Sequence, residues 1–141
     1  MKCVTGFLAG ILLILNMSNA VSAVRITNDR GGQIGSYVTK YQRLASAGES
    51  VIIDGLCASA CTILLSELPH EKICVTSRAT LGFHAAWNYG PHGRTFDPEA
   101  TLMLYSAYPT PVRRWISSRG GLRPNIIFLS GKPLQAMYRA C

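Results

Sequence analysis

Ser59 and His84 are the residues of this chain whose types and setting point most directly to chemistry. The serine sits in Cys57-Ala58-Ser59-Ala60-Cys61, the histidine closes Leu81-Gly82-Phe83-His84, and Asn28-Asp29-Arg30-Gly31-Gly32 lies upstream. A hydroxyl and an imidazole make a nucleophile and its base, and a glycine turn can offer backbone N–H groups to a developing oxyanion. Together they point to acyl transfer through a serine. Each residue also has a plain structural reading. Ser59 can pack a tight turn and cap a helix, and His84 can bond backbone at a strand end. Asp97 follows His84 as a candidate orienting acid, but Asp97-Pro98-Glu99-Ala100 is first of all a helix start, with an N-cap and Pro at the first position. A Ser–His dyad, or a backbone carbonyl orienting the imidazole, serves as well as a full triad.

The elements that must position these groups follow from apolar periodicity. Residues 24–27 alternate as a short strand. Ile34, Tyr37, Val38, Tyr41, Leu44 and Ala45 fall at helical spacing, with Gly48 as C-cap. Residues 51–53 form a strand stopped by Asp54-Gly55, and 57–68 read as a buried helix. Strands at 72–75 and 80–83 flank a Ser77-Arg78 turn. A polar loop at 87–96 is a lid or binding loop, helices cover 98–108 and 112–118, and the last strand spans 126–129. The order is βαβ, an α/β fold with a largely parallel sheet. In such folds catalytic groups gather beyond the carboxyl ends of the strands, where both Ser59 and His84 fall. A helix opening at Ser59 would aim the Ala60 N–H at the reacting centre. With the Gly32 N–H it completes a two-donor oxyanion hole.

Arg30-Gly31-Gly32, a helix and a strand, Ala58-Ser59-Ala60, and a histidine ending a strand 25 residues after the serine resemble the ClpP-like serine peptidases of the ClpP/crotonase fold. Among these the chain is most similar to the small exported ClpP-like proteins that carry Cys-Ala-Ser-Ala-Cys. The resemblance spans residues 24–87. It implies stacked ββα units, Ser59 as nucleophile, His84 as general base, and the Gly32 and Ala60 amides as oxyanion donors. It also implies a peptide or acyl substrate, no cofactor, and a homo-oligomer, since members often form rings or trimers. The chain departs from the family in having no acid beyond Glu99 and in its length, so the fold is expected to be trimmed.

The remaining features bound the setting. Lys2, an apolar run over residues 6–17 and Val21-Ser22-Ala23 (or Ser18-Asn19-Ala20) read as a signal peptide over 1–23, leaving one domain at 24–141. A membrane anchor is the rival, but the run is shorter than the roughly 18–20 residues a span needs. A periplasmic or secreted location follows. Cys3 leaves with the signal, and Cys57, Cys61, Cys74 and Cys141 suggest two disulfides with three connectivities open. A first guess joins Cys61 to Cys74 around the nucleophile turn and Cys57 to Cys141. Zinc is disfavoured because Cys57-x3-Cys61 lacks a second close pair. The net charge of +7 is dispersed, densest at Arg113, Arg114, Arg119 and Arg123, with no run of five like charges. That describes a solvated surface, with no nucleic acid expected and an anionic envelope surface as the available polyanion. Neither Gly-Lys-Ser/Thr nor GxGxxG follows the glycine pair, which argues against nucleotide binding. His70 and His92 read as solvated, and Trp87, Tyr89, Tyr105, Tyr108 and Trp115 as core and lid packing or a substrate groove. Two functions are in play: a serine hydrolase, or an inactive ClpP-like scaffold that binds an envelope partner.

Overall fold

The computed structural model describes residues 22–141; the expected signal peptide, up to residue 21, lies outside them. β1 (Ala23–Asp29), α1 (Ile34–Ser46) and β2 (Ser50–Ala58) form a parallel βαβ unit, paired from Ala23↔Ser50 to Asp29↔Cys57 with a register shift between Ile26 and Asn28. α1 turns Tyr41 fully into the core and packs Ile34, Tyr37, Val38 and Leu44 against it, the stripe that the helical spacing predicts. The helix stops at Gly48 (φ +69°), whose N–H bonds Ala45 O at 3.0 Å while Glu49 N–H bonds Leu44 O.

β2 runs on through Asp54-Gly55 to Ala58, beyond the strand expected over 51–53. Tertiary contacts neutralise both breakers. Asp54 is buried but bonded to Thr76, Arg78 and Arg25. Gly55 lies at the β1–β2 irregularity, where a Cβ would overlap the Thr27 carbonyl oxygen. With β1 along one edge, β2 shares its other edge between two strands. β3 (Ile73–Val75) pairs with Val51–Ile53, and β4 (Thr80–Phe83) with Leu56–Ala58, both parallel. β7 (Ile127–Ser130) adds to β4 antiparallel, giving a mixed sheet in the order β1-β2-β4-β7. The helix expected from residue 57 begins only at Ser59, as a 3-10 segment Ser59–Ile63 that continues into α2 (Leu64–Glu67). Cys57 and Ala58 stay extended because they pair with Leu81 and Gly82.

Residues 87–96 are an ordered hairpin rather than a loop: β5 (Trp87–Gly90) and β6 (Gly93–Phe96) pair antiparallel around Pro91-His92. α3 (Pro98–Ala107) and α4 (Thr110–Ser118) follow. α4 inserts Val112 and Ile116 into the core, and Phe83 meets Tyr108 edge-on. A short α5 (Gly131–Gln135), absent from the sequence reading, buries Leu134.

The disulfides are Cys57–Cys61 and Cys74–Cys141, which corrects the first guess. The tight turn after Ala58 brings Cys61 back over Cys57, with their Cα atoms 5.3 Å apart. The C-terminus returns beside β3, where Val75 N–H bonds Arg139 O and Cys141 N–H bonds Val75 O. That contact, invisible in spacing, sets the second pair. His70 is exposed, as expected, yet hydrogen-bonds Met137 O through Nε2 and stacks on Tyr138. Among the described residues no helix is long and apolar enough to cross a membrane.

Candidate functional site

The site is built around the turn that ends β2. Ala58 is extended (φ −122°), and Ser59 then adopts φ 57°, the only non-glycine positive φ among the described residues. A left-handed serine costs about 1–3 kcal/mol and persists only where its surroundings over-determine it. Here they do. The Cys57–Cys61 disulfide closes a short ring across the turn. Thr62 Oγ1 donates to Ser59 O at 2.7 Å, and Tyr108 OH lies 2.7 Å from the same Oγ1. With the threonine proton already committed, the tyrosine is the donor. Gly31 (φ +82°) packs directly on the turn: a Cβ there would stand 2.6 Å from Ala60 N and 2.7 Å from Ser59 Cβ. The result is a sharp strand-to-helix turn, the mechanical arrangement that exposes a serine hydroxyl in nucleophile elbows.

Asp29 shapes the opposing loop. Its Oδ1 accepts from Gly31 N–H (2.9 Å) and from Tyr37 OH (2.6 Å), and Lys40 lies 3.5 Å from Oδ2. Burial and the adjacent carboxylate push the Tyr37 hydroxyl up to about 12, which keeps it a donor. The Gly31 amide is therefore spent; both glycines border the cleft, but of the two only Gly32 lines the small recess at Ser59. Sequence reasoning passed over Asp29, although an acid two residues before a glycine is an Asx-turn signal.

His84 follows β4, the neighbour of β2. Ala58 pairs with Gly82, so the histidine lies one step further along than Ser59, on the adjacent strand. Its Nδ1 is 2.7 Å from Ala85 O. A carbonyl only accepts, so Nδ1 carries the proton and Nε2 keeps a lone pair, the tautomer a general base needs. The segment is pinned on both sides: Ala85 N–H bonds Arg123 O, and Ala86 N–H bonds Thr101 Oγ1.

Asp97 does not join this site. Its Oδ1 caps α3 by accepting from Ala100 N–H (2.9 Å), and its Oδ2 accepts from Asn88 Nδ2 (2.6 Å). Pro98 starts a helix that needs an N-cap, and the carboxylate is consumed there. The backbone carbonyl of Ala85 holds the imidazole instead.

Ser59, His84, Gly32 and Ala60 come together at a recess of about 40 Å³, closed behind by Leu104 and Tyr108. It has room for a water molecule or an oxyanion. The recess lies beside an open cleft of about 1170 Å³, walled by the Arg30–Gly32 loop, the hairpin and residues 124–126. That exceeds the roughly 300–1,000 Å³ of small-molecule sites and suits an extended segment. Ser59 and His84 share the cleft without a hydrogen bond between them among the described contacts, a spacing common before substrate arrives. Cys57 and Cys61 lie beneath, fully buried.

No protein-family model matches this chain, and no curated protein matches it significantly. Any function must be argued from the geometry.

Proposed function

We propose that the protein is an exported, ClpP-like serine hydrolase that cleaves a peptide or other acyl bond. One observation carries the reading: a strained serine at the end of a central strand opens onto a recess shared with a base-tautomer histidine and two candidate amides. Ser59 Oγ attacks the carbonyl carbon while His84 Nε2 takes its proton. The Gly32 and Ala60 N–H groups hold the oxyanion. His84 returns the proton to the leaving group, which departs and leaves the acyl-enzyme. Water, deprotonated by His84, then releases the acid and restores Ser59. Ala85 O orients the imidazole but carries no full charge, so the dyad is weaker than a triad with a carboxylate. Two disulfides support an oxidising compartment reached through a signal peptide over residues 1–23. The ClpP-like reading further implies a homo-oligomer, for which exposed Leu102 and Met103 offer apolar surface.

A second reading, an inactive scaffold binding an envelope partner, is favoured by the uncharged partner of His84. Fluorophosphonate labelling of the oxidised mature protein beside its Ser59→Ala variant separates the two. Labelling that disappears in the variant supports the hydrolase. A folded wild type that stays unlabelled supports the scaffold.

A further inference from the structure

The cleft beside Ser59 carries charge of one sign. Arg30 and Arg94 stand on its walls, and none of the chain's seven Asp and Glu residues does. Three of those acids are committed elsewhere: Asp29 to its loop, Asp54 to Arg25 and Arg78, Asp97 to its cap. The ion pairs among the described residues use Arg25, Lys40 and Arg78, leaving the guanidinium groups of Arg30 and Arg94 without a carboxylate.

The hairpin explains how Arg94 is presented. Trp87 pairs with Phe96 and Tyr89 with Arg94, so strand alternation puts all four side chains on one face, and all four line the cleft. The Arg94 guanidinium lies 4.1 Å over the Trp87 ring. Stacking holds the planar group in place while its N–H edge stays free for a carboxylate. Arg30 adjoins the Gly31-Gly32 turn, so one cation flanks the oxyanion loop while the other stands on the hairpin. The six residues of β5–β6 that carry side chains add no acid to oppose them.

We propose that this cleft selects acidic peptide segments, gripping a carboxylate near the reacting carbonyl through Arg94, with Arg30 as the second cation. As a statement of substrate class this rests on the hydrolase reading; as a statement of what binds, it is tested apart from catalysis. The carboxylate can be a Glu or Asp side chain or a free C-terminus, which present the same fork to a guanidinium.

The test is fluorescence anisotropy of the oxidised mature Ser59→Ala protein with short alanine-based peptides carrying a central Glu, Gln or Lys, each with a free or amidated C-terminus. The Glu peptide is expected to bind about tenfold more tightly than the Gln peptide, the scale of a charge-assisted hydrogen bond. That preference should shrink in Arg94→Gln and in Arg30→Gln, both at exposed positions that the fold tolerates, and shrink with added salt. A preference kept by the amidated Glu peptide assigns the side chain, and one that follows the free C-terminus assigns the terminal carboxylate; either upholds the proposal. Equal binding of Glu and Gln peptides in both terminal forms, no binding by any peptide, or a preference unchanged in Arg94→Gln overturns it. Acid preference in a protein whose wild type takes no fluorophosphonate would sink the hydrolase and keep the acidic ligand. Labelling without acid preference would do the reverse.

Discussion

At the scale of single residues, Gly31 matters more than the sequence suggested. It is needed twice: for its φ of +82° and for the missing Cβ that lets it touch Ala60 N and Ser59. Gly48 has a similar φ of +69° but open space around it. Gly31→Ala is therefore expected to lower stability by about 2 kcal/mol or more and to abolish labelling of Ser59. Gly48→Ala should cost only about 1 kcal/mol and leave labelling intact. Urea denaturation and fluorophosphonate labelling of both variants check the contrast. Asp97 gives the complementary case. As a cap, its replacement by Ala should cost about 1 kcal/mol with little change in labelling rate. A fall in rate of several orders of magnitude would instead make it the triad acid.

At the scale of elements, the two disulfides do different work. Cys57–Cys61 clamps the exit of β2 into the Ser59 turn, and Cys74–Cys141 ties the C-terminal tail to β3 across a separation of 67 residues. Closing that long loop is worth about 4 kcal/mol in chain entropy. Cys74→Ser with Cys141→Ser should lower the denaturation midpoint strongly while the folded fraction still labels. Cys57→Ser with Cys61→Ser should cost less stability and slow labelling more, because the left-handed serine loses its clamp. The reversed pattern would mean that the turn holds itself. The hairpin and β2 were the elements hardest to read. A run of polar residues with Gly and Pro looks like a loop until its two halves are seen to pair. Asp54-Gly55 looks like a strand end until Arg25, Thr76 and Arg78 are seen around the carboxylate.

At the scale of the whole molecule, Asp54 links β1, β2 and the segment after β3, and this cluster couples the fold to pH. Hydrogen bonds from Arg78 and Thr76, with Arg25 adding to them, hold its carboxyl well below the usual carboxylate range against the opposing effect of burial. A folded pKa below the unfolded one gives stabilisation that is present above about pH 4, the unfolded value, and lost as pH falls toward the folded one. The wild type should therefore lose stability on acidification below about pH 4 more steeply than Asp54→Asn, itself less stable at neutrality. Thermal melts across pH for both proteins measure this, and parallel curves would refute it. At the alkaline end, burial pushes Tyr108 and Tyr138 up to about 12. Raised values give stability that is full below about pH 10 and declines above it.

Local chemistry along the chain was enough to place β1, α1, β4, α3 and α4, because periodicity, caps and glycine stops act within a few residues. It also singled out Ser59, His84, Gly32 and Ala60, since small residues around a serine and a histidine at a strand end are local patterns too. The Asp97 cap was legible as well, since its acceptor lies three residues from the Ala100 N–H. Only the tertiary structure decided the cysteine pairing, the length of β2 and the place of the hairpin as a wall of the cleft. Each depends on segments far apart in sequence meeting in space: a carboxylate or a thiol is committed by whichever neighbour the packed sheet brings to it, and spacing along the chain does not specify that neighbour.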